Sequence, residues 1–204
     1  DTTLVMHFAD TVNASTDSSA SGVKAEGVPA PSTGSLVAGG LRLPSPAAIN
    51  VPAAPQLEWA AGGALTWSAW IKPTALAPNA IFFARREGTN SFLIGLDNGV
   101  PFVEINKQRS SGGEPLAVNA WRNLAIVAGN ATTTVHLDGR QYGALNAGLP
   151  ALKGPAALGK EGEGAAAGAG VFTGELDELQ ISRVARPAGW LRFATVNQGT
   201  SSDA

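Results

Sequence analysis

Short apolar runs alternate with clusters of Gly, Pro, Asn, Asp and Ser along the whole chain. No window keeps a helical period for long, so the runs read as β-strands separated by turns. Strands are predicted over residues 4–9, 35–43, 49–52, 64–73, 80–86, 91–96, 100–106, 121–129, 132–139 and 174–182. Asp97-Asn98-Gly99 joins two of them as a hairpin turn, because Asn-Gly accepts the positive φ that tight hairpins require. Asp138-Gly139 gives the same signal. Residues 11–34 form a long early connection, and 161–170 form a loop before the last strand. The one helical pattern is 186–198, where Pro187 suits a first turn and Trp190, Phe193 and Ala194 share a face that packs back on the sheets.

Strand alternation also makes predictions for single residues. Trp67 and Trp70 fall on opposite faces of one strand, so one packs between sheets. Asp177 falls in line with Leu179 and Ile181, which places a carboxylate among core residues. A buried unpaired charge costs several kcal/mol, so Asp177 needs a cation, an arginine or several N–H donors. Ten or more strands with no second composition regime imply an all-β fold of two packed antiparallel sheets. A single domain is expected over 1–198, with 199–204 as a frayed tail.

Composition narrows the function classes. The 204 residues are 44% hydrophobic and 15% charged, with 25 Gly and 13 Pro, which fits one turn-rich globular domain. Fourteen basic and sixteen acidic side chains give a net charge of −2, scattered without a basic run, so no footprint for nucleic acid or anionic membrane is present. With no cysteine, disulfides and thiolate metal sites are excluded. The chain starts at Asp1, as expected of a mature or excised piece of something larger.

The blocks INVPAAPQLEW (49–59), ALTWSAWIKP (64–73), SFLIGLDNGVPFVEI (91–105), NAWRNLAIVAGNATTTVHLDGRQYG (119–143) and FTGELDELQISRVAR (172–186) occur together in one order. In that combination the chain resembles the laminin-G-like, concanavalin A-like jelly-roll modules of secreted and envelope bacterial proteins. The resemblance implies a two-sheet jelly roll that often binds glycans on its concave side or rim. It also implies a structural calcium held by Asp177, with Asp10 or Asn13 adding oxygens; the alternative is that Asp177 pairs with Arg183 or caps a loop. The tail RVARPAGWLRFATVNQ is similar to that of large envelope proteins in which such a module is linked to a TolQ/ExbB-like proton channel, which implies a periplasmic, cell-surface or secreted address. Two departures stand out: Asp10 and Asp17 are the only aspartates between residues 10 and 34, after the first predicted strand, and Tyr142 is the single tyrosine.

No catalytic constellation emerges. Glu175-Leu176-Asp177-Glu178 opens like a laminarinase-type glycosidase motif, but Leu179 and Gln180 stand where its second glutamate belongs. Retaining hydrolysis needs two carboxyl groups about 5–5.5 Å apart. His7 and His136 read as strand residues, and Asp138 as a turn cap. The ligand-binding candidates are polar residues at two hairpins, Arg85, Arg86 and Asn90 with Glu104, Asn106 and Arg109, together with Trp59 as a rim aromatic. Trp121 reads as core and Trp190 as an anchor of the tail. The reading is a non-catalytic, lectin-like module for a glycan or glycosylated surface. The alternative is a structural or protein-interaction domain of an envelope assembly, with an envelope protein as partner.

Overall fold

The computed structural model describes residues 1–8, 16–27, 30–32, 34–37, 39–43, 49–110, 112–159 and 170–199. The first strands are β1 (Thr2–Met6), β2 (Ala30–Pro31), β3 (Leu41–Leu43) and β4 (Ile49–Val51). The long central ones are β5 (Leu65–Pro73), β6 (Ala80–Glu87), β7 (Asn90–Asp97), β8 (Val100–Ile105) and β9 (Gln108–Arg109). They are followed by β10 (Arg122–Ala128), β11 (Thr133–Leu137), β12 (Arg140–Leu145), β13 (Ala156–Leu158), β14 (Gly170–Val171) and β15 (Gly174–Ser182). A 3-10 turn spans Pro55–Leu57, and one α-helix among the described residues, α1 (Ala188–Gln198), follows the last strand.

Two sheets result. The first runs β12-β11-β10-β5-β15-β3-β2, with β1 also on β15; the second runs β4-β13-β6-β7-β8-β9, with β14 on β6. All pairs are antiparallel except β14 with β6, which is parallel. The Asn98-Gly99 and Asp138-Gly139 turns form as expected, with every φ positive (50°, 88°, 48° and 73°). Asn106-Lys107 makes a third such turn without glycine.

Between the sheets lies an aromatic core. Trp67, Phe82, Phe83, Phe92 and Phe172 are fully buried, and Trp59 is 4% exposed. Ring centroids are 5.0 Å apart for Phe82–Phe172 and 5.1 Å for Trp59–Phe92, in edge-on geometries. Such pairs add about 0.5–1.5 kcal/mol each beyond burial. A register shift between Ile81 and Phe83 lets two consecutive phenylalanines enter this core. A smaller cluster of Ile81, Ala84, Leu93 and Phe102 sits on the other side of the second sheet. Gly95 makes room for it, because a Cβ there would lie 2.7 Å from the Phe102 ring and 2.6 Å from the Ala80 carbonyl oxygen. Gly95→Ala is therefore expected to cost about 1–3 kcal/mol by overpacking, read as a lower urea midpoint at unchanged slope.

Several expectations are corrected. The strand expected over 35–43 is confined to Leu41–Leu43, and the first strand begins at Thr2 and stops at Met6. β12, β13 and the two-residue β2, β9 and β14 lie outside every predicted run. On α1 it is Leu191, not Phe193, that is buried; Phe193 is 65% and Val196 76% exposed. The helix docks through Leu191, Thr195 and Gln198, which share a face at spacings of four and three residues. Asp10, Asn13, residues 161–169 of the predicted loop and 200–204 of the predicted tail lie outside the described residues.

Candidate functional site

The hairpins β6–β7 and β8–β9 do meet at one end of the second sheet, where Ser91 N–H donates to Asn106 Oδ1 and Asn106 N–H to the Ser91 carbonyl. Their side chains nevertheless go to different places. Arg85 shares the core-facing side of β6 with Phe83 and is 3% exposed. Its Nη1 donates to the Leu57 carbonyl at 2.7 Å, its Nε and Nη2 donate to the Gly154 carbonyl, and its plane stacks 4.3 Å from the Trp59 ring. Burial pushes the guanidinium pKa down to about 10, so it stays charged at neutral pH. Trp59 and Arg85 are thus corrected from rim ligands to buried structure. Asn90 Nδ2 donates to the Ala151 carbonyl at 3.0 Å, and Asn106 spends its Oδ1 on the Ser91 turn. Arg86 remains exposed.

Glu104 and Arg109 turn the other way. They face each other across the β8–β9 pair, and Glu104 Oε2 accepts from Arg109 Nε and Nη2 at 3.1 and 2.9 Å. The guanidinium lies 3.8 Å from the Phe102 ring, and its Nη1 reaches Asn79 Oδ1 at 2.7 Å and Asp97 Oδ2 at 3.9 Å. Asp97 Oδ1 in turn accepts from Asn79 N–H at 3.1 Å and from Asn98 Nδ2 at 3.2 Å. Asn79 and Asn98 both have positive φ (49° and 50°), and Leu76, 45% exposed, packs against Gly99 beside them. A guanidinium fixed on both sides, a carboxylate 43% exposed and two amides so form one preorganised polar array next to an aliphatic surface. Asn79, Asp97 and Asn98 were missed as site residues; the Asp-Asn-Gly motif signals only its turn.

Asp177 lies where β15 changes neighbours, pairing with β3 through Leu176 and with β1 from Leu179 onward. Between those pairings Glu178 takes a φ of 51° and the register against β5 slips. This bulge turns Asp177 to the Trp70 side of the sheet, opposite Leu179 and Ile181, correcting the expected alignment. The carboxylate is fully buried and accepts N–H bonds from Leu36 (3.0 Å), Val37 (2.9 Å) and Glu178 (2.8 Å). Burial pushes its pKa up to about 6, and neighbouring Glu178 adds to that, while the Val37, Glu178 and Leu36 N–H groups pull the other way. Glu178 Oε1 is 2.6 Å from His7 Nδ1. Calcium calls for six to eight oxygens, whereas three N–H groups point at Asp177. The three N–H bonds agree with the loop-capping alternative; Asp10 and Asn13, the other expected calcium ligands, lie outside the described residues. Asp17, also buried, is likewise spent on Val5 and Ser19 N–H and on the Ser19 and Ser21 hydroxyls. Among the described residues no three His, Asp or Glu side chains converge as a metal site.

The tryptophans divide as the alternation predicts for Trp67, in the core, and Trp70, on the second face. Trp121, expected in the core, is half-exposed, with Nε1 on the Gly34 carbonyl and Lys72 Nζ 5.0 Å from its ring centroid. Trp190 stacks under Arg186 at 4.7 Å on the tail. His136 Nε2 bonds Thr134 Oγ1 at 2.9 Å, and Asp138, expected to cap its own turn, instead accepts from Asn123 N–H and Arg122 Nε on β10, tying the β11–β12 turn to that strand.

This fold has close structural likenesses. Domain 4 of AbnA, a GH43 extracellular arabinanase from Geobacillus stearothermophilus seen in complex with arabinotriose, superposes with a TM-score of 0.73 at 17% identity, covering 98% of both chains. The binding domain of Paraclostridial Mosquitocidal Protein 1 gives a TM-score of 0.77 at 14% identity, over 97% of this chain and 52% of that one. The binding domain of Botulinum neurotoxin serotype G gives 0.74 at 10% identity, over 97% and 51%. The chain therefore spans about half the length of these toxin domains. No curated protein sequence matches the chain. No helix among the described residues is long and apolar enough to cross a membrane. The model of the concanavalin A-like lectin/glucanases superfamily, in its laminin G form, matches residues 46–191, and the chain belongs to that family.

Proposed function

We propose that this domain is a non-catalytic glycan-recognition module whose binding surface is the Arg109–Asn79–Asp97–Asn98 array. The observation that carries the reading is the fixing of Arg109 between Glu104 and the Phe102 ring, with its outer edge at Asn79 and Asp97. Sugar hydroxyls are recognised by planar donors and acceptors held in place before the ligand arrives, beside an apolar patch such as Leu76 offers. The likeness to an arabinanase domain holding arabinotriose supports the same class of ligand, and that to toxin binding domains supports a binding role. The carboxylates of β15 support a non-catalytic role: Glu175 is paired with Lys72 at 2.7 Å, and Asp177 is enclosed. The same likenesses, one to a domain of an extracellular enzyme, support an address outside the cytoplasm, secreted or in the envelope.

A glycan array carrying arabinan, other plant polysaccharides and bacterial cell-wall fractions tests this. The expected result is binding to at least one fraction, weakened about tenfold or more in Arg109→Ala and severalfold in Asn98→Gly, since a hydrogen bond to a charged group contributes about 1.5–3 kcal/mol and a neutral one about 0.5–1.5 kcal/mol. Silence on every fraction, or binding indifferent to both changes, overturns it. The second reading, docking to an envelope protein, is favoured by the exposed Phe193 and Val196 on α1.

A further inference from the structure

Helix α1 crosses the first sheet on the side away from the core. Arg192 sits against Gly139 in the β11–β12 turn, Thr195 Oγ1 bonds Asn123 Oδ1 on β10 at 3.3 Å, and Trp70 Nε1 on β5 donates to Gln198 Oε1 at 3.3 Å. Strand registers give the composition of that side. Ser68 and Trp70 of β5 stand beside Ala125 and Asn123 of β10, Ala125 stands beside His136 of β11, and Gln180 of β15 flanks Ser68. This is an aromatic ring among amides, a hydroxyl and an imidazole, not the aliphatic surface on which helices usually dock. His136 is 7% exposed, and its Nδ1 is buried with no hydrogen-bond partner among the described residues.

The helix is anchored at one apolar point. Leu191 is its only buried residue, no side chain caps its N-terminus, and its large apolar residues Phe193 and Val196 face outward. We propose that α1 is a displaceable strap, and that the face beneath it, centred on Trp70, Asn123 and His136, is a second saccharide-binding surface exposed when the helix lifts. Trp70 supplies the stacking plane, and Asn123 and His136 supply the donors and acceptors for ring hydroxyls. The ligand class rests on the glycan reading above, but the surface is a different one. A strap that stays closed most of the time lowers the apparent affinity by the fraction of open molecules.

The test uses the full chain. Leu191→Asp removes the helix anchor while leaving the sheet untouched. Arabinotriose and trimers of β-linked glucose, mannose and N-acetylglucosamine are titrated against the wild type, Leu191→Asp, Leu191→Asp with Trp70→Ala, and Leu191→Asp with Arg109→Ala. The expected result is that Leu191→Asp binds one trimer about tenfold tighter than the wild type, that Trp70→Ala abolishes the gain, and that Arg109→Ala leaves it. A folded Leu191→Asp protein that gains no affinity overturns the proposal, as does a gain that survives Trp70→Ala. A gain lost only with Arg109→Ala returns the binding to the first site alone and also overturns it. Should Leu191→Asp fail to fold, hydrogen exchange on the wild type decides: α1 amides are expected to exchange through local opening at least about tenfold faster than those of β5 and β10, and equal protection rules the strap out.

Discussion

Replacing Arg85 by alanine is expected to remove about 4 kcal/mol of stability, the largest effect of any single polar substitution in this domain. The side chain is 3% exposed, and its Nε, Nη1 and Nη2 donate to the Leu57 and Gly154 carbonyls while its plane covers Trp59. Alanine leaves both carbonyls without their donor, at about 1–3 kcal/mol each, and opens a cavity beside the indole. Arg85→Lys retains charge but presents one compact ammonium where two carbonyls at separate positions need donors, so about half of the loss is expected to remain. Urea unfolding of the three proteins measures this as a shift in midpoint at constant slope. A loss below about 1 kcal/mol for alanine would mean that the two segments carrying Leu57 and Gly154 are held by something else.

Arg85 also shows where sequence reading ends. The strands were legible because burial on one side writes period-two alternation into the chain, and Trp67 and Trp70 were sorted to opposite faces on that ground alone. Arg85 obeys the same alternation, standing two residues after Phe83, but a guanidinium two residues before a hairpin turn reads as solvated. Only the distant carbonyls of Leu57 and Gly154 reveal it as buried structure. Trp59 was misplaced for the matching reason, since the residue that covers it is far away in sequence. β12 was invisible because it is an edge strand in which no residue is fully buried, and Tyr142 and Leu145, three residues apart, do not make a period-two pattern. The array at Arg109 was half legible: Glu104 and Arg109 sit within five residues, whereas Asn79 and Asp97 join them only through the β6–β7–β8 registers. The bulge at Glu178 has no sequence signal, because a glutamate with φ of 51° is imposed by the gap between β3 and β1 and not by its own preference.

That bulge sets the second large effect, which is a dependence on pH. Asp177 has a folded-state pKa pushed up to about 6 by burial, against about 3.9 for an unperturbed aspartate. The native state therefore holds this proton more tightly than the unfolded chain, so the stabilisation is fully present below about pH 4 and is lost as pH rises through 6. A shift of this size corresponds to on the order of 3 kcal/mol across the window. Asp177→Asn cannot titrate; its amide oxygen can still accept from Leu36 and Val37 N–H, although its NH2 then faces the Glu178 N–H. Urea unfolding between pH 4 and 7 is expected to show the wild type losing ground to Asp177→Asn by that amount, with most of the change between pH 4 and 6. Parallel profiles would mean that the three N–H donors outweigh burial and keep the carboxylate ionised throughout. The same titration repeated with calcium and with a chelator is expected to superpose for both proteins. Calcium-dependent stability present in the wild type and absent from Asp177→Asn would instead make this carboxylate a metal ligand, and the N–H groups of Leu36 and Val37 would then have to turn away.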